Sequence, residues 1–304
     1  MRIAILGPGG VGGLLAGVLE KAGTPVALVA RESTAAAIAE SGLRVSSVSF
    51  GEFLVHPRAV DRLQEGVDAL IIATKAAGLQ AALERIAVEP ELVLPLLNGL
   101  DHLYLLRERF AADSVLAGTI RVEADRPEPG VVVHTSPFLL VSMASHEPSV
   151  RAAMQALAKV LSDAGVPVRV LDSEADVMWS KLVRLNALAC TTSAFDKLLG
   201  EIRCTPELRA DLLGAIEEGC AVGRAEGAHD VDPATAIAEL TAAHATLGSS
   251  MQRDIAAGRT PELDAIPGSV LRAASRHGLR CPTIERLTAM IAARAGIAAP
   301  VVAR

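Results

Sequence analysis

The chain begins with a short apolar run and three glycines whose spacing strongly constrains the fold. Ile3 to Leu6 are apolar, and Gly7, Gly9 and Gly12 follow in the order G-x-G-x-x-G before an amphipathic segment. This pattern predicts a strand, a tight turn and a helix. In such a turn the backbone N–H groups and the positive helix end can face a pyrophosphate. Glycines also make ordinary turns, but the flanking strand and helix favour a dinucleotide site.

Short apolar strands alternate with amphipathic helices through the first half of the chain. The predicted strands cover residues 2–6, 25–30, 69–74, 92–97 and 115–121. The predicted helices cover residues 11–22, 33–41, 78–86 and 102–110. This alternation is typical of a doubly wound parallel sheet. Two further runs, 130–134 and 138–143, predict a hairpin added to that sheet, and a helix over 149–164 and a strand over 168–171 complete the predicted domain.

The sequence changes character after Asp172. Amphipathic segments rich in Ala and Leu cover residues 174–199, 206–226, 233–257, 268–277 and 283–295, and strand signals largely vanish. A prior of about 150 residues per domain also suggests two domains. We therefore predict an α/β protein with a Rossmann-type doubly wound sheet in residues 1–172 and an all-helical domain in residues 173–304.

Composition argues against several other classes of protein. The net charge of −6 and the aromatic content of 2% argue against a nucleic-acid surface. No apolar stretch reaches the ~20 residues that a membrane-spanning helix needs. The first predicted strand begins at Arg2, so we expect no cleaved signal segment. The four cysteines form no Cys-x-x-Cys pair and the seven histidines show no ligand spacing, so we expect a cytoplasmic protein with reduced thiols and no metal site.

The end of the second predicted strand bears on the choice between NAD and NADP. NAD-binding domains of this type usually carry Asp or Glu there, which binds the ribose hydroxyls. Here the strand is followed by Arg31, whose guanidinium would pair with a 2′-phosphate. A shift of one residue would place Glu32 there and restore NAD, and Arg31 could also be a plain surface arginine. We favour NADPH.

Polar residues follow two other predicted strands at the same edge of the sheet. Lys75 follows the third strand, and Asn98 with Gly99 follows the fourth. A lysine at a strand end is usually solvated, and Asn-Gly is a common turn pair. Because both lie at the edge that carries the glycine-rich turn, we interpret them as candidates for the nicotinamide site.

Motifs along nearly the whole chain resemble the ketopantoate reductase (2-dehydropantoate 2-reductase) family. The motifs that carry the resemblance are Gly7 to Gly12, Arg31, Thr74-Lys75, Leu97-Asn98-Gly99, Trp179-Ser-Lys181-Leu, Ser249-Ser250-Met251, Asp254-Ile255 and Thr260-Pro-Glu262-Leu-Asp264. The late segment, with its spacing from Ser250 to Glu262, is more specific than the glycine motif.

The resemblance implies NADPH-dependent reduction of a 2-oxo acid to a 2-hydroxy acid, from 2-dehydropantoate to pantoate in pantothenate biosynthesis or on a related substrate. By position, the implied cofactor residues are Gly7, Pro8, Gly9, Gly10, Val11, Gly12, Arg31, Lys75, Asn98, Ala124 and Glu262. Lys181 matches the family's proton donor and Glu262 its late glutamate, and Asn98, Lys181 and Ser250 would contact the substrate. The helical second domain is compatible with a homodimer.

The chemistry of such a reaction suits Lys181. Hydride delivery to a ketone carbon leaves negative charge on its oxygen, which a lysine ammonium can neutralise and protonate. By itself Lys181 would be a solvated helix lysine and Glu262 a carboxylate at a helix start. Two alternatives stay open, namely a reductase of another oxo or imine substrate and a non-catalytic NADPH-sensing protein.

The chain departs from the family where the substrate would bind. Family asparagines would fall at Leu185, Ala189 and Leu199, while Asn186 is one residue away and turned by about 100° around a helix. An apolar wall in their place should select a different or less polar 2-oxo acid. Arg121 and Arg184 are candidates for binding the substrate carboxylate.

Overall fold

The computed structural model describes residues 1–302. In it the chain forms two compact units. The first unit contains Met1–Leu97 and His102–Val177, and the second contains Asn98–Asp101 and the residues from Met178 onward. The division falls inside a long helix that begins at Glu174. The assignment of separate functions to residues 1–172 and 173–304 stays a prediction.

The first unit holds all the strands of the described residues. These are β1 (Ile3–Leu6), β2 (Val26–Val29), β3 (Leu43–Ser47), β4 (Gly51–Val55), β5 (Arg58–Val60), β6 (Ala69–Ile72), β7 (Leu92–Pro95), β8 (Ala117–Arg121), β9 (Ala124–Asp125), β10 (Val131–His134), β11 (Leu140–Ala144) and β12 (Val168–Val170). Its helices are α1 (Gly10–Lys21), α2 (Glu32–Ser41), α3 (Leu79–Leu83), α4 (His102–Arg109) and α5 (Arg151–Asp163).

A parallel sheet with the order β5-β2-β1-β6-β7 forms the centre of the first unit. β1 pairs in parallel with β2 on one side and with β6 on the other. Its side chains are buried on both faces, Ile3 and Ile5 in one apolar core and Ala4 and Leu6 in the other. This two-sided burial is what a doubly wound sheet requires, and it confirms the predicted fold class.

A second sheet, with the order β4-β3-β10-β9, packs against α1. Two glycines of α1 permit this contact, because a Cβ on Gly13 would lie 2.6 Å from Cγ2 of Val132 and one on Gly17 would lie 2.6 Å from Cγ2 of Val45. Four strands, β3, β4, β5 and β9, were not predicted from the sequence. These strands are short, and β4 and β5 are partly exposed, so they lack a continuous apolar signal.

The predicted hairpin over 130–143 is wrong. β10 pairs in parallel with β3 and antiparallel with β9, whereas β11 pairs with β8 and β12 in a third sheet. The loop between β10 and β11 is held by Ser136, whose hydroxyl donates to the carbonyl of Phe138 and accepts from the backbone N–H of Glu123. These bonds tie the loop to β9 and lead the chain into another sheet.

The second unit contains helices only, among the residues that the structure describes. Starting from α6, whose first residues belong to the first unit, the helices are α6 (Glu174–Phe195), α7 (Leu199–Cys204), α8 (Pro206–Ala225), α9 (Pro233–Ala242), α10 (Ser250–Ala256), α11 (Ser269–Arg276) and α12 (Pro282–Ala295). This confirms the predicted all-helical character. None of the described helices has the length and apolarity needed to cross a membrane.

The single helix predicted over 233–257 is two helices in the structure. The carbonyl groups at the end of α9 are bound by Arg203, which donates to the carbonyls of Leu240, Thr241 and Ala243. α10 begins afresh after Ser249, whose side chain accepts from the backbone N–H of Gln252. Satisfied end groups on both sides stabilise the break.

A buried histidine joins the ends of two strands in the second sheet. His134 is 1% exposed, its Nδ1 lies 2.7 Å from Ser47 Oγ, and its Nε2 lies 3.3 Å from Ser136 Oγ. Burial lowers the pKa of His134 below the ordinary value of 6.5, although backbone hydrogen bonds at Ser136 and Phe138 act in the opposite direction. The fold therefore favours the neutral ring.

We expect His134 to make stability depend on pH. Its lowered pKa contributes stability that is fully present above 6.5 and is lost as the pH falls from 6.5 through the lower, folded-state pKa. In urea unfolding, the advantage of the wild type over His134→Gln should shrink as the pH falls through that window. An advantage that stays the same at every pH would contradict the predicted neutral state.

Candidate functional site

The glycine-rich turn after β1 is closely packed by its own backbone. Gly7 has φ of +98°, and its N–H donates to the carbonyl of Val29 at 3.0 Å. A Cβ on Gly12 would lie 2.1 Å from the Gly7 carbonyl oxygen, and one on Gly10 would lie 2.1 Å from the Ala124 carbonyl oxygen. Gly7 is thus required by its positive φ, and Gly10 and Gly12 by the close approach of other backbone segments.

Gly9 differs from these glycines, because the protein itself does not fill the space in front of it. A Cβ there would meet only the carbonyl oxygen of Ala73, at 3.9 Å. Gly9 is also the N-cap of α1, it provides no capping side chain, and the first turn of α1 has no acidic residue. Open space beside the uncompensated positive end of a helix fits a diphosphate. The turn thus fits the dinucleotide predicted from the sequence.

Other predicted cofactor residues of the first unit surround this turn at the carboxyl edge of the sheet. Arg31 is exposed and is the N-cap of α2, shortly after β2. Lys75 is exposed and precedes a short 3₁₀ turn after β6. Ala124 of β9 has its carbonyl against Gly10. Because β2 and β6 flank β1 on opposite sides, the turn lies at the switch point of the sheet, where α/β proteins bind ligands.

Three predicted residues of the second unit form a continuous hydrogen-bonded chain. Nζ of Lys181 donates to Oδ1 of Asn98 at 2.8 Å, and Nδ2 of Asn98 donates to Oε2 of Glu262 at 2.9 Å. An ammonium has only donors and an ionised carboxylate only acceptors, so these partners fix the orientation of the Asn98 amide. All three residues are half-buried. The structure therefore brings together Lys181, Asn98 and Glu262, which lie far apart in sequence.

The backbone around Asn98 and Glu262 is shaped for this contact. Gly99 has φ of +85°, and a Cβ there would lie 1.9 Å from the carbonyl oxygen of Ala265. Ala265 belongs to a π-helical turn, Asp264–Gly268, in which Gly268 N–H donates to Leu263 O. Pro267 has no N–H for that carbonyl, which gives the wider turn a physical cause. The glycine after Asn98 thus fits the turn that follows Glu262.

An arginine that was not predicted from the sequence holds the same two segments together. Arg272 of α11 donates to Oδ2 of Asp101 at 2.6 and 3.0 Å, to Oδ1 of Asp264 at 2.8 Å and to the Asp264 carbonyl at 2.8 Å. Burial alone would lower the pKa of Arg272, but its bonds to the two aspartates raise it. Asp101 lies 171 residues from Arg272, and Arg272 belongs to none of the motifs, so no local signal indicated that it joins the two segments.

The face of α6 that carries Lys181 is a stripe of partly exposed side chains. Arg184, Leu185 and Leu188 follow Lys181 at helical spacing and are each half-buried. Thr192, further along the same face, donates from Oγ1 to Oγ of Ser249 at 2.9 Å. The predicted substrate residue Ser250 is exposed and begins α10 next to Ser249.

The positions that depart from the family differ in exposure. Leu185 lies on this stripe, whereas Ala189 and Leu199 are fully buried and present no surface to a substrate. Asn186 is also 0% exposed, and its Oδ1 accepts from the Cys190 thiol at 3.4 Å. Asn186 therefore lies off the Lys181 face, as the helical spacing predicted.

Two family models match most of the chain. The model described as "Ketopantoate reductase PanE/ApbA" matches residues 3–143, and its C-terminal companion matches residues 175–295. The matches cover the glycine-rich turn, Asn98, Lys181 and Glu262.

Individual relatives agree with the family models. The 2-dehydropantoate 2-reductase of Halobacterium salinarum is 30% identical and aligns over 96% of this chain and 98% of its own length. The structure of 2-dehydropantoate 2-reductase from Geobacter metallireducens is similar with a TM-score of 0.87 at 26% identity, covering 96% of this chain and 99% of the other. D-mandelate dehydrogenase with NADH shares the fold, with a TM-score of 0.88 at 23% identity and coverage of 97% and 99%. The chain belongs to the ketopantoate reductase family and is an NADPH-dependent oxidoreductase that reduces a 2-oxo acid.

Proposed function

We propose that Lys181 is the proton donor of this 2-oxo acid reductase and that Asn98 and Glu262 hold it in place. The observation that carries this proposal is the Lys181–Asn98–Glu262 chain of hydrogen bonds. NADPH, held at the turn of Gly7, Gly9 and Gly12, supplies the hydride when bound. The residues of the chain then have to orient the keto group and manage the charge on its oxygen.

Lys181 can do both for the keto oxygen. As hydride reaches C2, the carbonyl oxygen gains negative charge, and an ammonium within hydrogen-bond reach stabilises that charge. Transfer of one ammonium proton to the oxygen completes the hydroxyl and leaves a neutral amine, which water can reprotonate. One N–H of Lys181 is directed to Asn98 Oδ1, and an ammonium has two more donors. Asn98 therefore aims the ammonium without using all of its donors.

The proposed substrate class is a 2-oxo acid with an apolar substituent. Leu185 and Leu188 are half-buried on the Lys181 face, where amide side chains would suit a hydroxylated substrate. The Halobacterium salinarum relative is named for 2-dehydropantoate, and that acid is the second candidate for this chain. We also propose a cytoplasmic location and a homodimer. The ketopantoate reductase of Staphylococcus aureus is described as dimeric.

Lys181→Ala should lower kcat by about 10²- to 10⁴-fold, the usual contribution of a general acid. Lys181→Arg should stay slow, because a guanidinium keeps the charge but does not release its proton. NADPH affinity, measured by fluorescence titration, should change little in either variant. Lys159→Ala, which removes an exposed lysine of α5, is the matched control. A normal kcat in Lys181→Ala would remove Lys181 from the mechanism.

Arg31→Ala should abolish the preference for NADPH over NADH. Loss of charge-assisted bonds to a 2′-phosphate should reduce kcat/KM with NADPH by about 10- to 100-fold and leave kcat/KM with NADH nearly unchanged. Glu32→Ala is the matched control, because in the alternative assignment Glu32 binds the ribose hydroxyls of NAD. A variant pair in which Glu32→Ala impairs NADH use and Arg31→Ala changes nothing would reverse the assignment.

A further inference from the structure

The geometry points to Arg184 as the residue that binds the carboxylate of the substrate, with Leu185 and Leu188 contacting its apolar substituent. This inference rests on the proposed role of Lys181 and deepens it by assigning the remaining parts of the substrate. Arg184 lies three residues after Lys181 on α6, so one helix presents both cations. Residues at this spacing are neighbours on a helix surface, with Cβ atoms about 5–6 Å apart.

This spacing suits the shape of a 2-oxo acid. The keto carbon is bonded directly to the carboxylate carbon, so the keto oxygen and the carboxylate lie within about 3 Å of each other. Two long cationic side chains on adjacent turns can therefore reach the two groups of one molecule. A planar guanidinium also matches the paired oxygens of a carboxylate.

Arg184 is partly exposed, and its ion pair with Glu239 can be exchanged at low cost. Its Nη1 lies 3.2 Å from Oε2 of Glu239 on α9, and the two side chains are 29% and 38% exposed. Ion pairs exposed to this degree contribute little to stability. A guanidinium has five N–H donors, so a substrate carboxylate can share Arg184 with Glu239 or replace it.

The residues around Lys181 on α6 place a polar side chain on one flank and an apolar side chain on the other. In projection down α6, Arg184 and Leu185 lie on opposite flanks of Lys181 and Leu188 lies nearly in line with it. A keto group at Lys181 and a carboxylate at Arg184 leave the third substituent of C2 toward Leu185 and Leu188. These two side chains offer no hydrogen bond, which favours a branched alkyl or aryl group over a hydroxylated one.

The test compares a carboxylate substrate with its uncharged ester. The probes are 4-methyl-2-oxopentanoate and its methyl ester, each reduced with saturating NADPH by wild type, Arg184→Gln and Arg184→Lys. We expect Arg184→Gln to lose roughly 10- to 100-fold in kcat/KM for the acid, mainly through KM, and less than about twofold for the ester. Arg184→Lys should recover part of the loss because it keeps the charge.

Arg209→Gln, which removes an exposed arginine of α8, is the matched control and should resemble wild type. Equal losses on the acid and the ester would show a structural effect and overturn the assignment, as would an unchanged KM for the acid. A wild type that reduces the acid while Arg184→Gln behaves normally would overturn this inference alone. A wild type that reduces neither probe nor 2-dehydropantoate would overturn the proposed function with it.

Discussion

The Asn98 amide is the contact on which the rest of the candidate site depends. It accepts from the Lys181 ammonium and donates to the Glu262 carboxylate, so one neutral amide bridges two groups of opposite charge. A direct pair would occupy the Lys181 ammonium with an acceptor much stronger than an amide. The neutral amide, by contrast, takes up one of the three N–H donors of the ammonium and brings no opposing charge to it.

The local backbone exists largely to keep that amide in place. Glycine is the only residue type that fits at position 99, after Asn98, because any Cβ there would collide with the Ala265 carbonyl. That carbonyl projects from the widened turn that Pro267 produces. Arg272 then joins Asp101, close after Asn98, to Asp264, close after Glu262. The Gly99–Ala265 packing and the Arg272 hydrogen bonds both join the segment after Asn98 to the segment after Glu262. The distance between Asn98 and Glu262 therefore does not depend on a single hydrogen bond.

The sequence predicted features that depend on local pattern and missed features that depend on distant contacts. The strands β1, β2, β6 and β7 were predictable because their apolar runs are bounded by glycine or polar residues. The hairpin over 130–143 failed because adjacency in sequence does not determine pairing, and β10 found a partner in β3. The break between α9 and α10 depends on Arg203, which lies in another helix.

The same distinction applies to the candidate site. Lys181, Asn98 and Glu262 were named from motifs, yet their mutual contact joins segments that lie 83 and 164 residues apart and is visible only in the fold. Arg272 belongs to no motif and its partners lie in two separate segments, so sequence reasoning had no means of finding it. The sequence predicted an apolar substrate wall at Leu185, Ala189 and Leu199. In the structure Ala189 and Leu199 are fully buried, so only Leu185 of these three is exposed enough to contact a substrate.

A double-mutant cycle between Asn98 and Glu262 tests the central claim most directly. The quantity to measure is kcat at saturating NADPH and 2-oxo acid for Asn98→Ala, Glu262→Ala and the double variant. If Glu262 acts through the Asn98 amide, the double variant should be within about threefold of the slower single variant, because residues that act as a unit are not additive. Losses that multiply in the double variant would show that the two residues act independently, and would contradict the account.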